Sequence, residues 1–343
     1  MGERTKRDAR PNIDDDLLFA VMSLAKANTS PESDARPRSV TDSSPEIFGF
    51  FKPPLQTLQS LHVWGQQTAR AVHFSALEQL VLLKGGLSRV TTPGFADALH
   101  LFDVHEAAKT LDRPRFEIPV LYVRFLERVR RAEREESTSV NKFLALGIAP
   151  ESPLVDILRD IRVYCQWIDG VIRSTVHDST LPCQPTSHTT GSARSTCELT
   201  TLRNLIEYQL LAHQPANATE RICRTATMIF THGCIFPIPS RAPMRRLVAG
   251  LISLLQPLEN LPRHHDLVLD KGFLAWVSMM GALAADQADR EFFTSRLATC
   301  ATAMDISSWT MLKETVGEYL WLEEACDAGG MEVWAMIFHE TER

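Results

Sequence analysis

Seven cysteines and eleven histidines pose the first question, because thiolate and imidazole are the usual zinc ligands and a common nucleophile and base at neutral pH. A structural zinc site is usually organised by two ligands from one tight turn. Cys165, Cys183, Cys197, Cys223, Cys234, Cys300 and Cys326 offer no such pair, since the closest two, Cys223 and Cys234, stand eleven positions apart. Cys183, His188 and Cys197 share one polar stretch, and at that spacing they read as loop residues. His232 sits beside Cys234, but a Cys–His catalytic pair is made in space and not by adjacency. Both read as the end of a buried helix, where free cysteine is commonly core. His264-His265-Asp266 reads as a polar turn. Asp14-Asp15-Asp16 has the composition of the aspartate-rich metal motifs of helical prenyl-transfer enzymes, but no second acidic motif pairs with it. The sequence has neither a Walker glycine loop nor a dinucleotide fingerprint. No catalytic, cofactor-binding or metal-ligating residue is expected.

Charge points the same way. The 343 residues carry a formal net charge of −6 and a sequence pI near 6.0, so the whole chain does not advertise a nucleic-acid surface. Of its 36 basic residues, 28 are arginine. Arg124, Arg128, Arg130, Arg131 and Arg134 alternate with Glu127, Glu133, Glu135 and Glu136, which reads as a solvated, ion-paired helix face. A basic start (Arg4, Lys6, Arg7, Arg10) is followed at once by the three aspartates. The odd cysteine count in a long chain argues against a disulfide scaffold and for a reducing compartment. No secretory signal and no membrane-length apolar run is seen, so an intracellular, non-secreted protein is expected and the sequons at Asn28 and Asn217 stay unused. Lys6 stands where a myristoylated Gly2 would want Ser or Thr.

The elements that would position any site read as helices. Residues 1–54 form an N-terminal segment: a short apolar stripe (Leu17, Leu18, Val21, Met22, Leu24), then a linker rich in Ser and Pro. Residues 55–338 form the main domain. Phe74, Leu77 and Val81 recur at helical spacing up to a stop at Gly85-Gly86. Further helices are expected over 95–112, ending before Pro114, and over 118–136. Ser152-Pro153 reads as a helix start. A polar loop covers about 177–200, and Asn217 with Glu220 resembles a capping box. Leu247, Leu251, Leu254 and Leu255 mark a helix before Pro257. Trp309, Leu312, Val316 and Leu320 mark one before Gly329-Gly330. Alternating strand patterns are missing, so the expected fold class is all-α, a multi-helix bundle of about ten helices.

Several segments carry a resemblance. His73-Phe74-Ser75-Ala76-Leu77 through Lys84-Gly85-Gly86-Leu87 is similar to the signature helix of the fungal-specific transcription factor domain. Arg113-Pro114-Arg115-Phe116 resembles the R-P-R-F that follows in that family. Glu220-Arg221-Ile222-Cys223-Arg224-Thr225-Ala226 and Trp276 through Gly281-Ala282 resemble later helices. Ser307-Ser308-Trp309 and Tyr319-Leu320-Trp321 through Cys326-Asp327 resemble the closing ones. In order, these span nearly the whole chain. The resemblance implies an all-α regulatory domain of nuclear proteins that commonly carry a six-cysteine zinc cluster for DNA. No cysteine precedes Cys165, so that DNA-reading module cannot be carried over. Most of the matching residues have structural readings. Gly85 and Gly86 stop a helix, and Trp276 and Trp321 fill the core. Arg113 and Arg115 cap helix carbonyls or pair with acids. The same structural reading covers His73, Leu77, Pro114, Phe116, Cys223, Arg224, Trp309 and Cys326.

The function expected is therefore a non-enzymatic regulator acting in the nucleus through protein partners, among them other transcription factors. It has no sequence-specific DNA binding of its own and no membrane role. Two alternatives stand beside it: a helical domain that binds a small effector, favoured by an apolar pocket, and an α-helical enzyme, favoured by clustered His, Cys and carboxylates of shifted pKa. A broad exposed apolar patch would favour the partner reading.

Overall fold

The computed structural model describes residues 13–26, 49–56, 58, 61, 71–136, 140–178, 195–259 and 269–341. Thirteen α-helices lie among them. They are α1 (Asp15–Lys26), α2 (Ala71–Lys84), α3 (Phe95–Thr110), α4 (Val120–Glu136), α5 (Asn141–Leu144), α6 (Pro153–Asp178) and α7 (Thr196–Ala212). Next come α8 (Ala218–Phe230), which runs into a π-helical turn at Thr231–Ile235, then α9 (Arg241–Glu259), α10 (Lys271–Ala284), α11 (Gln287–Ala303), α12 (Trp309–Gly317) and α13 (Glu323–Thr341). The described residues contain no strand, and the fold is all-α.

Local chemistry explains most boundaries. Gly85 and Gly86 sit at φ 100° and 92°, where a Cβ would be strained, and the Gly86 N–H returns to the Val81 carbonyl at 2.9 Å, closing α2 in the manner of a glycine C-cap. Pro153 opens α6, where its missing N–H costs nothing, and the Ser152 hydroxyl accepts from the Leu154 N–H at 3.3 Å. Ser195 and Glu198 form a complete capping box that starts α7. At α8 only half of one forms: Asn217 accepts from the Glu220 N–H at 2.8 Å, while the Glu220 carboxylate reaches past it to the Ala216 N–H.

Four readings of the sequence need correction. Cys197 lies in the first turn of α7 and is exposed, so it is not a loop residue; Cys183, His188 and His264-His265-Asp266 fall outside the described residues. Pro257 does not end α9, which continues to Glu259. The helix at Trp309 stops at Gly317, and Leu320 belongs to the buried link that follows. Gly329-Gly330 stops nothing. Both lie inside α13, where a Cβ on Gly329 would come within 2.4 Å of Phe50 and one on Gly330 within 2.4 Å of Trp309. These glycines permit a close crossing, the second common use of a residue without a side chain.

The core is organised around α10. Twelve of its fourteen residues are buried, and it meets α8, α9, α11, α12 and α13. Such a helix is apolar on every side because it has no solvent face. Trp276 anchors it: its ring packs against Phe143, Phe273 and Tyr319, and its indole N–H donates to the Leu320 carbonyl at 2.8 Å. The strap Gly49–Lys52 crosses the end of α10, with the Phe50 N–H bonded to the Leu283 carbonyl at 2.8 Å and the Lys52 N–H to the Ala325 carbonyl at 2.9 Å.

A second, smaller core joins α1, α2 and α3 through Leu18, Met22, Phe74, Leu77, Val81, Leu99, Phe102 and Phe116. Asp15 locks it. One carboxylate oxygen pairs with the Lys84 ammonium at 2.8 Å; the other accepts from the backbone and hydroxyls of Thr91 and Thr92 at 2.7–2.9 Å. Within the aspartate run, Asp15 is thus a structural clamp between α1 and the turn after α2, while Asp14 and Asp16 are exposed. The Lys84 ammonium, with help from the Thr91 and Thr92 bonds, holds the Asp15 carboxyl well below the usual carboxylate range. A carboxyl depressed in the docked state stabilises docking above its ordinary pKa of about 4, and that contribution fades as pH falls toward the docked value. Asp15→Ala is expected to raise amide exchange across residues 15–26 at neutral pH while leaving α10 protected. Unchanged protection in α1 would contradict the clamp.

Candidate functional site

The signature-like residues spread over the molecule and do not converge on one pocket. His73 is partly buried on α2, whose Leu77 is in the small core. The carboxylate of Asp103, within α3, accepts the backbone N–H groups of Arg115 and Phe116 at 2.6 and 2.7 Å. That is why the Arg113–Phe116 segment, with Pro114 buried in its middle, is fixed. Burial pushes Asp103 up to about 6 despite these two bonds. Arg115 pairs with Glu78 at 2.8 Å and lies over the Phe74 ring, whereas Arg113 is exposed. Arg224 donates to the Leu210 and Leu211 carbonyls, capping the end of α7 as a basic side chain there should. Cys223 is fully buried beside it. Trp276 fills the core as expected. Trp321 is only partly buried: it packs against Trp309 and donates to Asp327 at 2.7 Å.

Two polar clusters were not foreseen. In the first, Arg130 of α4 makes a two-pronged bond to Asp160 of α6 (3.0 and 2.6 Å), and one nitrogen also reaches Gln209 of α7 at 2.8 Å. The arginine helix is therefore not simply a solvated face, since this half-buried guanidinium braces the buried Asp160. Burial dominates at Asp160 and raises its pKa, with Arg130 opposing.

The second cluster surrounds the π-helical turn. His232 Nε2 meets Glu207 Oε1 at 2.7 Å, with both side chains almost fully buried. Arg203, one turn before Glu207 on α7, is also fully buried; it donates to the Leu58 carbonyl at 3.1 Å and lies 5.2 Å from the centre of the Phe236 ring. Burial pushes the Arg203 pKa down, with Tyr164 and Glu207 opposing. The turn itself closes with the Phe236 N–H on the Thr231 carbonyl at 2.7 Å. Its widened geometry places His232 toward α7 and Cys234 toward α13, where Cys234 and Cys326 touch at 3.5 Å between sulfurs. Such turns recur at functional positions. A sequence signal existed: Arg203 and Glu207 are charges four apart, set among Leu199, Leu202, Leu205, Ile206 and Leu210.

Chemically, a Glu–His pair is the beginning of a general base. Here it is sealed from solvent, and burial pushes the Cys234 and Cys165 thiols up, away from the thiolate a nucleophile requires. The described residues hold no group of three or more His, Cys, Asp or Glu side chains arranged for a metal ion. The cluster fixes the turn rather than presenting reactive atoms.

The outer surface differs. Leu17, Phe19 and Leu24 on α1, Val72, Leu82 and Leu83 on α2, and Val120, Leu121 and Val123 on α4 are all exposed. On α2 the outward row Val72, Ala76, Gln79 and Leu83 has the three-four spacing of a helix-packing seam. Its only two charged residues, Glu78 and Lys84, are engaged with Arg115 and Asp15. No helix among the described residues is long and apolar enough to cross a membrane. Compared with known proteins, the chain matches no family model, no curated protein and no solved structure.

Proposed function

We propose that this chain is a non-enzymatic regulatory domain of the fungal transcription-factor type, acting in the nucleus through contacts with other proteins. The observation that carries the reading is the exposed apolar surface of α1 and α2. Single exposed leucines are ordinary, but six large apolar side chains (Leu17, Phe19, Leu24, Val72, Leu82 and Leu83) on two helices packed against each other are the pattern of an interaction surface. An uncharged helix row suits an apolar partner helix better than a polyanion. The sealed Glu207–His232 pair, by contrast, gives an enzyme reading no accessible base.

DNA reading needs an element that enters a groove and phosphate contacts that set its register. The basic start Arg4, Lys6, Arg7 and Arg10 supplies charges for non-specific contacts alone, and these weaken steeply with salt. Selection from random duplex DNA with purified protein at about 0.15 M salt is expected to return no reproducible motif. A motif bound about a thousandfold more tightly than random sequence would make this a self-sufficient DNA-binding factor.

A further inference from the structure

The sulfurs of Cys234 and Cys326 lie 3.5 Å apart, both reduced and almost fully buried. Cys234 belongs to the π-helical turn after α8 and Cys326 to the first turn of α13, so two atoms in contact are separated by 92 positions of chain. A disulfide needs about 2.05 Å between sulfurs, a closure of about 1.5 Å that side-chain rotation supplies. The strap Gly49–Lys52 rests on the neighbours of both thiols. Its Phe51 ring is buried where a side chain on Gly233, next to Cys234, would have to stand. Its Lys52 N–H donates to the carbonyl of Ala325, next to Cys326, at 2.9 Å. With the strap down, burial pushes the Cys234 thiol up, which keeps the pair from reacting. A short strap fastened through the Phe50 and Lys52 N–H groups is the kind of segment that opens locally while the rest of a fold stays intact.

We propose that Cys234 and Cys326 form a reversible disulfide in response to peroxide, and that the strap gates the reaction. When the strap lifts, one thiol gives its proton to solvent and its sulfur attacks a peroxide oxygen. The O–O bond breaks, hydroxide leaves and takes up a proton to become water, and a sulfenic acid remains. The second sulfur attacks the first; the S–O bond breaks, and the hydroxyl leaves with the second thiol's proton as another water. In sum two thiols lose two electrons and two protons, and one hydrogen peroxide becomes two waters. The new bond ties the π-helical turn to α13 and closes a long loop, which restricts the unfolded chain. A thiol reductant reopens it by exchange.

The test exposes the full chain to hydrogen peroxide, blocks unreacted thiols in denaturant and maps the peptides. A peptide pair joining Cys234 to Cys326 is expected, lighter by two hydrogens and lost on treatment with dithiothreitol. The urea midpoint of the oxidised chain should shift upward. Lys52→Pro deletes the N–H that bonds Ala325, at a position already followed by Pro53. It should speed the disulfide about fivefold, the effect of one net hydrogen bond on an opening equilibrium. Phe51→Ala should speed it further, and Lys52→Pro carries the test if that variant does not fold. Cys223, fully buried in α8, should stay unoxidised in both variants, whereas a general loosening would expose it too. The proposal is overturned if no such pair forms by the time the exposed Cys197 is fully oxidised, or if Cys326 pairs with Cys165 instead. It is equally overturned if Lys52→Pro forms the disulfide at the wild-type rate, or if Cys223 oxidation accelerates in step.

Discussion

Glu207→Ala is expected to destabilise the fold by about 2–5 kcal/mol, the range for removing one partner of a buried, hydrogen-bonded pair. The Glu207 carboxylate lies 2.7 Å from His232 Nε2 where water does not reach either side chain. Truncation leaves that nitrogen without its partner and removes the nearby negative charge that offsets burial of Arg203. Glu207→Gln keeps an oxygen acceptor of the same shape and should cost only about 1 kcal/mol. Replacing both partners, Glu207→Leu with His232→Leu, should cost less than the sum of the two single losses, because no orphaned polar group remains. Urea unfolding reads this as a fall in midpoint at unchanged slope. A loss for Glu207→Ala within about 0.5 kcal/mol, as at an ordinary surface position, would mean that the pair does not hold the π-helical turn.

Much of the architecture was legible because periodicity and capping are local. The α2 stop at Gly85-Gly86, the α6 start at Ser152-Pro153 and the α8 cap at Asn217 all follow from side chains acting within a few residues. The errors came from non-local packing. Gly329-Gly330 looks like punctuation until Phe50, Trp309 and Trp321 are known to press on it. The arginines of α4 look solvated until Asp160, thirty positions on, is found beneath Arg130. Asp15 gave no hint of its clamp because Lys84, Thr91 and Thr92 lie about seventy positions away. The Glu207–His232 pair was half visible: charges on an apolar stripe mark a buried polar group, but only the fold supplies its partner.

The second large effect concerns the surface of α2 and bears on function. Leu82 and Leu83 are 61% and 50% exposed, so glutamates there should leave stability within about 0.5 kcal/mol of the wild type. On a seam that packs against an apolar helix, the same two charges would be buried without partners, a cost of several kcal/mol to binding. Leu82→Glu with Leu83→Glu should therefore abolish partner engagement in a protein that still folds. The Glu207 variants separate the two roles, since they lower stability without touching this face.

Tethering tests the regulatory account most directly. The full chain is fused to an unrelated DNA-binding domain in a fungal cell, and transcription of a reporter carrying that domain's site is measured for wild type and for Leu82→Glu with Leu83→Glu at equal protein level. The wild-type fusion is expected to change reporter output several-fold in a consistent direction, and the double variant to return it to the level of the DNA-binding domain alone. A wild-type fusion with no effect, or a folded double variant with undiminished effect, would contradict a regulator that works through the apolar surface of α2.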